Sequence, residues 1–277
     1  MERNNRVKLL FPVLGCCGLL MGSQIIADLI FTAIIIAGMD ISGIPAAEVD
    51  AIVYERLTEY GNEIMLLSYA FTFVGLLIWA KLAKTPFMTH TGLNLKTTKP
   101  IGILSVLAGI AGNFWFSMMV GFFPWPEKWV EEYDAASSAI TSGNLMVELL
   151  AVVLFAPLIE EILFRGMAYR YLAMALPAGA AIVFQGMLFG GMHGTMIWIV
   201  YASILGCIFG YVRRRTGSLH ATILMHMGFN GGSYLFMAFA ERWGESGGAI
   251  LGGFLASAAL FLLMLYGIEY RIGEVEA

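Results

Sequence analysis

The chain has 277 residues, 59% of them hydrophobic and only 13% charged, with a mean hydropathy of +0.78 and a formal net charge of −4. That apolar share lies well beyond a soluble globular protein and marks an integral membrane protein; the weak negative charge, with no basic stripe, argues against nucleic acid as a partner. Cys16, Cys17 and Cys207 lie inside apolar runs at neither metal-type nor disulfide spacing and read as small core residues.

A spanning helix needs roughly 20 mainly apolar residues. On that length about eight spans are expected, near residues 9–38, 64–83, 101–123, 144–165, 178–193, 196–212, 219–239 and 248–269. The first is long enough to tilt and the fifth is short. Residues 40–62 are polar enough for an exposed loop or a surface helix. No signal-peptide cleavage pattern follows the first apolar run, and no polar stretch is long enough for a soluble domain. The expected fold is therefore all-α: one polytopic membrane domain over residues 1–277, with about eight transmembrane helices enclosing an intramembrane polar cavity.

Basic residues flanking spans are retained in the cytoplasm. Eight spans place Arg3, Arg6, Lys8, Lys81, Lys84, Lys96, Lys99, Arg165, Arg170, Arg213, Arg214, Arg215 and Arg271 on one side, leaving Arg56, Lys128 and Arg242 on the other. Both termini are expected in the cytoplasm, in a plasma-membrane protein.

Polar residues within spans are costly, and each calls for a reason. Asp28 and Glu148 are isolated acids, readable as hydrogen-bonded packing residues or as neighbours of a water-filled cavity. Asn113 and Ser117 are expected to bond neighbouring helices. The stretch "FAPLIEEILFRG", residues 155–166, is different because it carries Glu160, Glu161 and Arg165. Glu161 and Arg165 are four apart on one helix face, acid first, and can neutralise each other. Glu160 is turned by about 100° and lacks that partner, which makes it a candidate proton acceptor. Pro157, one turn earlier, can loosen the helix beside it.

Two histidines lie deep in later spans: His193 in "FGGMH" and His226 in "HMGFN". A hairpin turning near Leu176 and Pro177 puts Glu160 and His193 at one level. Simple stacking leaves His226 about 10 Å away at 1.5 Å per residue. His226 and Asn230 share a face on a glycine-rich helix that would let a substrate backbone approach. His90 and His220 are read as loop and interfacial residues. A carboxylate base, two imidazoles and a carboxamide are the parts for activating water and stabilising an oxyanion. Ser203 and Cys207 have no spacing that ties them to a base. Two His and one Glu also form a common zinc set, although no His-Glu-x-x-His helix is present.

The strings "EEILFR", "FGGMH" and "HMGFN", in that order and each in its own span, resemble the three motifs of the CPBP family, the CAAX prenyl endopeptidase and bacteriocin-processing family also called Abi. The resemblance covers about residues 145–235. It implies a glutamate-dependent intramembrane endopeptidase without a covalent intermediate. In that scheme Glu160 and His193 activate water, His226 and Asn230 form the oxyanion site, Glu161 and Arg165 orient the base, and Phe189 packs the motif helix. It further implies action on a membrane-associated peptide or protein, with no cofactor, and the compact length suggests a prokaryotic member, for which prenylated substrates are not expected. Zinc catalysis by the same residues, a non-catalytic peptide-binding or immunity protein, and a proton-coupled transporter are the competing readings.

Overall fold

The computed structural model describes residues 8–40, 42–141, 143–240 and 247–276. Among them the chain is helical throughout, with α1 at Leu10–Ala37, α2 at Ala46–Glu59, α3 at Gly61–Leu82, α4 at Phe87–Thr91, α5 at Lys99–Phe122 and α6 at Glu127–Ile140. A long segmented helix, α7, runs over residues 145–175 and is followed by α8 (Ala178–Gly191), α9 (Met196–Thr216), α10 (Leu219–Ala240) and α11 (Gly247–Glu276). The chain is a multi-pass, all-α membrane protein, as its composition requires.

Prolines set much of the punctuation. Pro45, Pro86, Pro126 and Pro177 immediately precede α2, α4, α6 and α8 in an extended conformation. A proline fixes its own φ and disfavours helical geometry in the residue before it, so each breaks the preceding segment and starts the next. Gly92 and Gly217 end α4 and α9 in the left-handed conformation that L-residues adopt only at a cost. Asn144 caps α7, its side-chain oxygen accepting the Met146 and Val147 amides at 2.9 and 3.4 Å.

Each expected span is a helix, but they are of two kinds. The helices Leu10–Ala37, Gly61–Leu82, Lys99–Phe122 and Met196–Thr216, together with the last one, are long and apolar enough to cross a membrane. The three that carry the polar motifs, α7, α8 and α10, are segmented, short or diluted by His, Asn and Gly. The polar stretch after α1 forms the surface helix α2, which has no buried residue. The acidic segment between the third and fourth expected spans is also helical, forming α6.

α5 lies between α10 and α11 around a core that includes Ala108, Phe116, Met225, Phe229 and Phe261. α1 and α3 pack together and against α7, joined by Val13, Leu76, Ile159, Leu163 and Phe164. Close approach depends on glycine at the α5–α10 crossing. A Cβ on Gly109 would meet the backbone of Met225 and Phe229, and one on Gly228 would meet the backbone of Val106. This corrects one expectation: Gly228 and Gly232 of "HMGFNGG" are used for helix packing against α5, not for admitting a substrate.

The basic helix ends converge. Arg170 donates to the carbonyls of Thr89 and His90, Ser218 and His220 both bond the Leu95 carbonyl, and Arg215 pairs with Glu269 at 2.8 Å. Arg165 is a correction to the basic tally, being fully buried in the core and not flanking a span. Arg3, Arg6 and Arg242 of that tally lie outside the described residues.

Candidate active site

The polar motifs are assembled on α7, whose path is not a regular α-helix. Leu149–Phe155 and Ile162–Ala168 are π-helical and flank the α-helical turn Ala156–Glu161 that carries Pro157 and both glutamates. A π turn bonds i to i+5 and so takes up one residue more than an α turn; such turns concentrate at functional sites. Glu148, Val152, Ala156 and Glu160 all line one cavity at strict four-residue intervals. In a regular α-helix that spacing would rotate the last about 120° from the first. One residue absorbed by the π turn reduces the offset to about 20°. The loosening expected at Pro157 thus takes the form of widened turns on either side.

Behind the cavity, Glu161 and Arg165 form a salt bridge of 2.8 Å with both side chains fully buried. Arg165 Nε and Nη2 have no hydrogen-bond acceptor. The guanidinium instead faces aromatic rings, its carbon 4.2 Å from the Phe189 centroid and 5.2 Å from that of Phe209. Phe189 also stands edge-on to Phe164 and to the rings of His193 and His226. It therefore joins the motif helix to both histidines.

His226 is the better placed of the two histidines, contrary to the stacking count. Its Nδ1 lies 3.0 Å from Glu161 Oε1, and its Nε2 lies 3.9 Å from Glu160 Oε2. A carboxylate only accepts, so Nδ1 carries a proton, and Nε2 is the nitrogen that faces Glu160 and the cavity. The expected 10 Å offset vanishes because α10 is pinned to α5 by the glycine crossing, which no hairpin count includes. His193 is at the cavity wall, as its level in the hairpin predicts. Its Nδ1 donates to the Phe189 carbonyl at 2.9 Å, and it makes neither a hydrogen bond nor an ion pair to Glu160 among the described residues. The same logic leaves His193 Nε2 available.

Asn230 lines the cavity one turn from His226. One N–H of its carboxamide donates to the Val152 carbonyl at 2.7 Å, tying α10 to the widened turn of α7 and leaving a second N–H uncommitted. Glu160 has one partner that was not anticipated: the Tyr69 hydroxyl, from α3, donates to its Oε1 at 3.1 Å. Nothing in "LLSYAFTF" distinguishes Tyr69 from a packing aromatic; only the fold brings it to Glu160 across 91 residues.

The cavity has a volume of about 610 Å³. From the Glu160 cluster it runs towards α6 and the adjoining helix ends, away from the basic helix ends described above. Asn113 and Ser117 both line it and bond each other at 3.5 Å, in place of the expected links to neighbouring helices. Glu148 lines it as well, with Tyr234 donating to it at 2.6 Å, whereas Asp28 is on α1 and takes a hydrogen bond from Gln24. Ser203 and Cys207 are elsewhere, against Gly190 and Gly186 at the α8–α9 contact, and Ser203 donates to the Ile199 carbonyl. Among the described residues no three His, Cys, Asp or Glu side chains are grouped to hold a metal ion.

The arrangement brings a carboxylate, two imidazole Nε2 atoms and a carboxamide to the wall of one cavity inside the helical bundle. Residues 142–232, about a third of the chain, match the family model described as type II CAAX prenyl endopeptidase, Rce1-like. Neither a curated protein nor a solved structure matches the chain. The matched segment begins just before α7, ends within α10 and contains all three motifs. Residues 142–232 are thus similar to the type II CAAX prenyl endopeptidase family, in agreement with the resemblance of the three motifs to the CPBP family.

Proposed function

We propose that the protein is an intramembrane endopeptidase in which Glu160 activates a water for direct attack on a peptide carbonyl. The supporting observation is that Glu160, His193, His226 and Asn230 line one intramembrane cavity backed by the fully buried Glu161–Arg165 pair. Glu160 takes a proton from water as the oxygen bonds to the carbonyl carbon, and His193 Nε2 orients that water from the facing wall. The tetrahedral oxyanion accepts hydrogen bonds from the free Asn230 N–H and from the Nε2–H of His226, which in this scheme carries a proton on both ring nitrogens with Glu161 as its counter-charge. Collapse breaks the C–N bond, and the proton held by Glu160 passes to the leaving amine. Water supplies one hydrogen to the amine and a hydroxyl to the new carboxyl group, so the step balances with no covalent enzyme intermediate.

In this scheme Glu161 holds the His226 ring and Arg165 holds Glu161, while Tyr69 fixes the orientation of Glu160. No step passes through a metal ion. The substrate is a membrane-associated peptide or protein, and the protein acts in the plasma membrane with both termini in the cytoplasm. The basic helix ends then face the cytoplasm, and the cavity extends towards the other side.

The test is cleavage of a membrane-reconstituted peptide by purified protein. Glu160→Gln is expected to lower kcat by a factor on the order of 10²–10⁴ without a loss of thermal stability, and wild-type activity is expected to survive exhaustive chelation. Undiminished cleavage by Glu160→Gln overturns the base assignment; activity lost to a chelator and restored by zinc replaces it with the metal reading.

A further inference from the structure

Glu148 is a second carboxylate in the same cavity, and the proposed reaction does not use it. It is 3% exposed, in the first turn of α7, with the Tyr234 hydroxyl donating to its Oε1 at 2.6 Å. It lies twelve residues before Glu160, and the π turn between them brings the two onto nearly one face of α7. Their separation along the helix is about 18 Å at 1.5 Å per residue, a length that an extended peptide covers in about five residues.

The surroundings point to the charge of the ligand. Among the described residues, no Lys or Arg lines this cavity. The same cavity is also lined by Tyr133 and Trp198, whose rings meet edge-on at 6.0 Å, and aromatic rings of this kind attract cations. A carboxylate with one donor and no cation beside it, at the end of a cavity where a peptide would lie, is an unmet demand for a positively charged hydrogen-bond donor. A free C-terminal carboxylate in that position would meet like charge.

Resting on the peptidase reading above, we infer that Glu148 is a specificity subsite for a lysine or arginine side chain of the substrate, about five residues from the scissile bond. The cavity thereby selects peptides that carry a cation at that distance and disfavours those that present an acid there. Tyr234 is the positioning residue that holds the carboxylate for this contact.

The experiment uses the full-length protein in lipid nanodiscs and a series of quenched fluorescent apolar peptides. A single Lys, norleucine or Glu is moved one position at a time away from the cleavage site on either side. Lys is expected to raise kcat/KM over norleucine by about tenfold or more at one position, about five residues from the bond, and Glu to lower it there. Glu148→Gln, which keeps an acceptor for Tyr234, is expected to erase the difference between Lys and norleucine, and Glu148→Lys to reverse the preference towards Glu. A Lys preference that persists in Glu148→Gln, or a wild-type protein with no positional preference, overturns the subsite.

The same peptides are titrated by anisotropy against Glu160→Gln protein, with and without Glu148→Gln. A Glu148-dependent preference in Kd, without cleavage by wild type, supports the subsite and sinks the peptidase. Cleavage without that preference does the reverse.

Discussion

α1 and α7 are built on opposite principles. α1 reaches a mean hydropathy of 2.1, yet it exposes Phe11, Leu14, Leu29 and Ile34 and buries only Val13, Cys16, Ser23 and Ala27. α7 is interrupted by Pro157, Glu160, Glu161 and Arg165, yet every residue from Ile162 to Ala168 is buried. In water the apolar helix would be inside and the charged one outside. In a bilayer the surroundings of α1 are as apolar as its side chains, so hydrophobicity no longer sorts inside from outside; polar pairing and close packing take over that role. The two helices of highest hydropathy, α1 and α11, accordingly contribute no residue to the lining of the cavity.

The contrast can be broken most forcefully at Arg165. Removing one partner of a buried ion pair leaves the other uncompensated, so Arg165→Ala is expected to destabilise the protein by about 3–5 kcal/mol. Replacing both, as Glu161→Leu with Arg165→Met, is expected to cost less in stability while still releasing His226. Thermal unfolding in detergent checks both; a single variant as stable as wild type would show that the pair does not hold α7 in place.

Glycines sharpen the same contrast at smaller scale. Ala at Gly109 or Gly228 must displace backbone across the α5–α10 crossing, at an expected loss of about 1–3 kcal/mol. Gly18 on α1 has nothing within 4 Å of a built Cβ, and Gly18→Ala is expected to be neutral or to stabilise by up to about 1 kcal/mol. Equal effects at the two places, measured by the same unfolding assay, would mean that the crossing is not closely packed.

Tyr69→Phe removes a single hydroxyl and is expected to lower kcat about tenfold, with KM and melting temperature little changed. A fall in melting temperature with kcat intact would make Tyr69 a packing residue only.

The smallest expected effect is at His90, outside the spans in α4. Burial, and then the charge of Arg170, hold its imidazole below the ordinary histidine value. The unfolded ring gains a proton near pH 6.5 where the folded one does not, so this contribution to stability is complete above about pH 6.5 and is lost as the pH falls below it. His90→Gln is expected to flatten that acid limb; an unchanged pH dependence of unfolding would assign the loss to other groups.

Much of this was legible in the sequence, though unevenly. The helical polytopic fold follows from apolar length, and the Glu161–Arg165 pair follows from an i,i+4 spacing, both of which are local signals. The level of His193 came from counting around one tight hairpin. His226 defeated the same count because its depth is set by Gly109 and Gly228, a contact between helices that are not consecutive. Tyr69 was invisible for a related reason: an aromatic in an apolar span carries no mark of the carboxylate that it will meet. The acidic segment 127–140 carries no spanning signal because its apolar residues are interrupted by charges, but α6 closes against the start of α9 through Tyr133 and Trp198.

The widened turn at Leu149–Phe155 makes chain length itself a determinant of the site. Deleting one residue there would leave every motif letter and every spacing within the motifs intact, and would let the segment relax to an ordinary helix. Glu160, Glu161 and Arg165 would then rotate together by about 100° relative to Glu148. Two sequences with identical motifs can thus differ in whether they have a site at all, and the gap that separates them would fall in a stretch of Leu, Ala, Val and Phe that looks interchangeable.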